Sequence, residues 1–137
     1  MKFNDLPNTR KKDLLQKNYG SWKKEVLKSE GFFPIFQPFL EDRILKKISG
    51  NALKLYIYLG LHSKNQTGET WVTIETMSIY FDKSPRTISN WLKELEQNKL
   101  IIRFQLEINQ PAYTFLQPYS IHRSNEDNTN HERDLEE

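Results

Sequence analysis

Ser84-Pro85-Arg86-Thr87-Ile88-Ser89-Asn90-Trp91-Leu92-Lys93-Glu94-Leu95-Glu96-Gln97-Asn98-Lys99 is the stretch on which the reading of this chain turns. A serine hydroxyl can accept an N–H of the first helical turn, and proline at the first helical position loses only a donor that would be orphaned there anyway. The pair therefore predicts a helix that continues to about Asn98, with Lys99 in the closing turn. Ile88, Trp91, Leu92 and Leu95 follow at relative positions 0, 3, 4 and 7, one apolar stripe facing a core. At 100° per residue the opposite side is then fixed as Arg86, Asn90, Lys93 and Gln97, with Thr87 and Ser89 on the flanks.

Upstream, Thr73 to Phe81 reads as a short helix capped by Thr73, and Asp82-Lys83 as the turn between the two helices. Two helices joined by a three-to-four-residue turn, the second with a hydrogen-bonding outer face, are the helix-turn-helix arrangement. Arg can grip guanine or phosphate with two donors, Asn and Gln can pair with the adenine edge, and Lys neutralises phosphate. A merely solvated helix usually carries Glu and Lys outside. Here the N-terminal half of the outer face is Arg, Ser, Thr and Asn, at the positive end of the helix dipole, while Glu94 and Glu96 lie further along.

Downstream, Leu100 to Ile108 alternates apolar with polar from Ile102 onward, the pattern of a half-buried strand. Asn109-Gln110-Pro111 turns the chain, and Ala112 to Gln117 returns as its partner. The expected DNA-contacting residues are Thr73, Lys83, Ser84, Arg86, Thr87, Ser89, Asn90, Lys93 and, as the one basic residue of the hairpin, Arg103.

The stretch GETWVTIETMSIYFDKSPRTISNWLKELEQNKLI, Gly68 to Ile101, resembles the winged helix-turn-helix domains of bacterial regulators and of plasmid or phage replication initiators, especially the group with an SxRTI start and an LKELE…LI end. The resemblance extends over roughly Ser49 to Phe115. It implies that the Ser84 to Lys99 helix lies in the major groove, that the Thr73 to Phe81 helix braces it, and that the Leu100 to Phe115 hairpin is the wing. Members often carry Arg or Lys at the wing tip, whereas this tip is Ile108-Asn109-Gln110.

Ahead of this region, Ser49 or Gly50 to His62 reads as a helix apolar nearly all round, buried between other elements, and Asn65 to Glu69 as a turn. Glu41 to Ile48 is a short helix. Gly31 to Leu40 holds four Phe and two Pro and reads as an extended, edge-like segment. No Lys or Arg is interleaved with those rings, so they are expected to fill a core rather than to stack bases. In residues 1–30, Leu15, Tyr19, Trp22 and Val26 recur at helical spacing, either on one helix from about Asn8 to Lys28 or on two broken at Gly20-Ser21. That stripe is the expected dimerisation element.

The 137 residues hold 20 Lys plus Arg against 18 Asp plus Glu, with 36% hydrophobic residues and no Cys. Disulfides and thiolate metal sites are excluded. The tail, residues 120–137, has two basic against six acidic residues, and residues 1–119 have 18 against 12, so a cationic body of +6 precedes a tail of −4. With two apolar residues in eighteen, the tail is expected to be disordered. The longest apolar run is far short of a bilayer span, and MKFNDLPNTRKK lacks the apolar region of a secretory signal, which together point to the cytoplasm.

No glycine-rich phosphate loop, GxSxG elbow or HExxH pair is present. Carboxylate neighbours such as Glu41-Asp42 and Glu94/Glu96 read as solvated surface. No active site, metal or cofactor is expected.

The chain thus reads as mainly α with a small β-hairpin (α+β). Residues 1–48 form an N-terminal helical and extended segment, 49–119 a winged helix-turn-helix domain, and 120–137 a disordered acidic tail. The expected partner is double-stranded DNA, bound by a homodimer because one small domain contacts few base pairs and a second copy doubles the site. A protein partner could engage the N-terminal segment or the tail. Three roles fit: a transcriptional regulator of a mobile element, a replication-initiation or plasmid-maintenance protein, or an interaction adaptor whose polar face a partner covers.

Overall fold

The structure, a computed structural model, describes residues 2–120. The expectations for the acidic tail beyond Ser120 lie outside the described residues. Contacts divide the chain after Phe32 into two units.

The first unit holds a single 3-10 turn at Phe3–Asp5 and one long helix, α1 (Asn8–Ser29). Gly20 does not break it, because the roughly 1 kcal/mol penalty of an interior glycine is small beside the propagation of a 22-residue helix. Leu15, Tyr19 and Trp22 are more than half exposed, and Val26 is half-buried. No residue of α1 is buried.

The second unit begins at Phe33, earlier than the boundary read after residue 48. In place of an extended segment and one short helix, Pro38 opens a single turn, α2 (Pro38–Glu41). A second turn, α3 (Ile44–Lys47), follows after Arg43 adopts a left-handed conformation at φ 62°. Core filling explains the placement. Phe39 is buried and stacks on Tyr56 at 5.5 Å, Phe33 meets the Tyr56 edge at 5.4 Å, and Ile48 is buried.

Helix α4 (Gly50–His62) buries Ala52, Leu55, Tyr56, Tyr58, Leu59 and Gly60. Ser49 caps it, its Oγ accepting the Ala52 N–H at 3.1 Å. Burial pushes the Tyr56 phenol well above its ordinary value. Helices α5 (Ile74–Phe81) and α6 (Pro85–Gln97) pack with α4 around one core.

Three strands complete the unit, β1 (Glu69–Thr70), β2 (Ile101–Gln105) and β3 (Ala112–Leu116), all antiparallel in the order β1-β3-β2. The sequence reading had a turn where β1 stands. It also implied that the apolar side of the hairpin faces inward, and the structure reverses this. Ile101 is buried opposite Leu116, and with a side-chain period of two Arg103 and Gln105 then turn inward while Ile102 and Phe104 turn out. Leu100 and Ile101 leave α6 directly into the core, so they set the register.

Gly60 is the one helical glycine without room. A Cβ there would lie 2.3 to 2.5 Å from the base and edge of the Phe33 ring. Gly60→Ala would gain up to about 1 kcal/mol of helix propensity, but displacing a packed ring costs about 1–3 kcal/mol. Urea unfolding should therefore show a net loss of stability, whereas Gly20→Ala, with open space around it, should show a gain.

Candidate nucleic-acid interface

The loop between α5 and α6 is pinned by its own backbone. Asp82 takes the left-handed conformation at φ 54°, and its N–H reaches the Ile79 carbonyl at 3.3 Å. The Lys83 N–H donates to the Ser78 carbonyl at 3.1 Å, and the Ser78 hydroxyl donates to the Lys83 carbonyl. Ser84 Oγ then accepts the Thr87 N–H at 3.1 Å and pairs with Thr87 Oγ1 at 2.9 Å. The same pattern starts α5, where Thr73 Oγ1 accepts the Thr76 N–H at 3.1 Å. Both helices are thereby fixed at their N-terminal ends.

On the inner side of α6, Ile88, Trp91, Leu92 and Leu95 are all buried, as the spacing predicts, with Phe81 edge-on to Trp91 at 5.6 Å. On the outer side Arg86, Asn90, Lys93 and Gln97 are exposed, and Thr87 and Ser89 lie half-buried on the flanks. Among the described residues, no ion pair engages Lys83, Arg86 or Lys93. The face therefore presents uncompensated cations and amide donors at the positive end of the helix dipole.

Comparison with known proteins agrees with this geometry: residues 46–101 match the sequence profile of a family described as "Helix-turn-helix domain". Residues 46–101 are a helix-turn-helix domain. Among curated proteins, none matches the chain. Two solved structures are similar to it. One is described as "Structure of Rep-DNA complex", with a TM-score of 0.48 and 18% identity over 82% of this chain and 93% of that one. The other is described as "N-Terminal domain of DNA binding protein", with a TM-score of 0.49 and 18% identity over 82% of this chain and 92% of that one.

The helix-turn-helix domain does not bring all the expected site residues to one surface. Lys83, Ser84, Arg86, Thr87, Ser89, Asn90 and Lys93 gather on the turn and α6. Thr73 and Ser84 are exposed, but each lends its side-chain oxygen to a cap. Arg103 stands apart on the inner side of the wing sheet, half-buried, its Nε donating to Thr114 Oγ1 at 2.9 Å. Burial lowers its pKa, and the nearby Glu96 charge acts in the opposite direction. The wing tip carries no cation, and Ile108 there is 88% exposed.

Two carboxylates read as solvated surface have structural partners instead. The Glu94 carboxylate accepts the Ser49 N–H at 2.6 Å and the Ser49 hydroxyl at 2.8 Å, tying the start of α4 to the middle of α6. Asp42 accepts the Ser120 hydroxyl. No sequence period announces such long-range pairs; the only available signal was a cap serine with no acid three residues on.

Among the described residues, no group of three or more His, Cys, Asp or Glu side chains is gathered to hold a metal ion, and no helix is long and apolar enough to cross a membrane.

Because the Ser84 hydroxyl satisfies a backbone donor of α6, Ser84→Ala should lower unfolding free energy by about 0.5–2 kcal/mol in calorimetry, and Ser84→Asp should restore most of it.

Proposed function

We propose that this chain binds duplex DNA sequence-specifically, with α6 in the major groove, and serves as a transcriptional regulator of a mobile element in the cytoplasm. One observation carries the reading. The buried stripe of α6 leaves no rotational freedom, so Arg86, Asn90 and Lys93 point outward together, free of ion pairs and with no acid between them. That is the chemistry that reads base edges and grips phosphate. The reading is of a binding protein rather than an enzyme. The resemblance to replication initiators favours a second role, marking a replication origin with the same face. It would be told apart by whether the selected site lies at an origin or beside a promoter.

A single domain of this size covers few base pairs, so we propose a homodimer on two half-sites about one helical turn apart. The exposed apolar residues of α1, with Tyr19 and Trp22 rings 5.6 Å apart, offer the pairing surface.

Arg86→Ala and Asn90→Ala should each weaken binding to the preferred site by about 1–3 kcal/mol and relax base preference, measured on sites selected from a random duplex pool. Equal losses on every sequence would refute direct readout. Lys83→Ala and Lys93→Ala should weaken binding to all sequences and shallow the dependence of log affinity on log salt by about one unit each. A salt dependence that is flat in the unaltered protein would favour the adaptor role instead. For the α1 reading, the Leu15→Glu, Trp22→Glu double variant should reduce the mass seen in light scattering, and an unchanged mass would reject it.

A further inference from the structure

The reversed register of the wing leaves an apolar face that DNA recognition by α6 does not use. On the outer side of the sheet, Ile102 and Phe104 are 49% and 47% exposed, beside Tyr113, Phe115 and Trp71. The rings form one row: Phe104 stacks on Phe115 at 5.3 Å, Phe115 on Tyr113 at 6.1 Å, and Tyr113 tilts against Trp71 at 5.9 Å. A contiguous exposed patch of this kind marks an interaction surface.

Strand β2 is also the open edge of the sheet. It pairs with β3 on one side, and among the described residues no backbone hydrogen bond reaches it from the other. Natural edges are usually protected by outward charges, proline or a bulge. β2 has none of these; its only charge, Arg103, is turned inward and held by Thr114.

We propose that this edge is a second self-association surface, on which β2 of one copy pairs antiparallel with β2 of another about a two-fold axis. The two sheets would join into one of six strands with a continuous aromatic outer face. Charge selects this occupant over unpaired nucleic-acid bases, which also stack on such rings. The cation lying against the row is Lys64, 5.2 Å from the Trp71 ring, and it is already paired with Glu69 at 3.2 Å, so a phosphate chain finds nothing to grip. An uncharged outer row, in contrast, is complementary to itself.

Charge also selects the register. Centring the pair on Arg103 would set two guanidinium groups opposite each other, an unfavourable like-charge pair. Centring it on Gln105 would require Glu107 and Ile108 to be extended, but Glu107 is held in the hairpin turn by the Gln110 N–H at 3.2 Å. Centring it on Phe104 sets Phe104 against its own copy, Ile102 against Leu106, and Arg103 against Gln105, with no charge conflict. This surface is distinct from the α1 stripe, so either can fail alone.

The chain has no cysteine, so single replacements in the full-length protein report the geometry directly. In the Phe104-centred register the two 104 Cα atoms stand about 4.5–5.5 Å apart, within disulfide range, whereas the two 102 Cα atoms are offset by about 14 Å along the strands. Under mild oxidation Phe104→Cys should therefore convert from 16.4 kDa to a dimer of twice that mass, while Ile102→Cys and the wing-tip control Gln110→Cys stay monomeric over the same time. The Leu15→Glu, Trp22→Glu variant should leave the 104 cross-link intact. Phe104→Lys should reduce self-association in sedimentation with unchanged circular dichroism. Cross-linking at 104 no faster than at 110, or protection of the 104 thiol by single-stranded DNA without cross-linking, would overturn the proposal.

Discussion

The burial of Ile88, Trp91, Leu92 and Leu95 between α6 and the rest of its unit is the interaction on which the structure depends. Each side chain of this size contributes about 1.5–3 kcal/mol when fully removed from water. Four of them together match the whole net stability of a typical small domain, about 5–15 kcal/mol. The stripe therefore sets the rotational position of α6 and not only its attachment. A shift of one residue would turn the helix by about 100° and carry Arg86 and Asn90 toward the core.

Polar contacts complete what burial begins. The Ser84 and Thr73 caps fix where the two helices start, and the Ser78–Lys83 pair sets the loop between them. Glu94 couples α6 to the first turn of α4 through Ser49. Among the described residues no buried side-chain nitrogen or oxygen is left without a partner, so the orientation of the outer face rests on a fully satisfied framework. The outer face itself is not bound into that framework: its cations have no internal partner, which leaves them available to an anion.

The features legible from residues alone were those with a short-range cause. Ser84-Pro85 marks a helix start because both effects act within one turn, and the 0, 3, 4, 7 spacing gives the buried side because the helix period is local. What escaped reading depends on distant partners. The two residues of β1 are too few to show a period and exist because β3 pairs with them. The alternation in β2 was visible, but which side faces inward is decided by Ile101 seating opposite Leu116. The aromatic, proline-interrupted segment from Phe33 has no period at all, and its place in the core follows from Tyr56 offering a ring to stack on. Arg103 was read as a wing cation because it is basic, and its burial against Thr114 is a consequence of the same inverted register.

The most direct test of the central claim is a heteronuclear NMR titration of the full-length protein with a short duplex at low salt, where phosphate contacts dominate and a cognate sequence is not required. The account predicts that the backbone amides from Lys83 to Lys93 shift first and furthest, with those of β2 and β3 little changed. Shifts confined to the outer sheet face or to α1, with Arg86 and Asn90 unmoved, would contradict it.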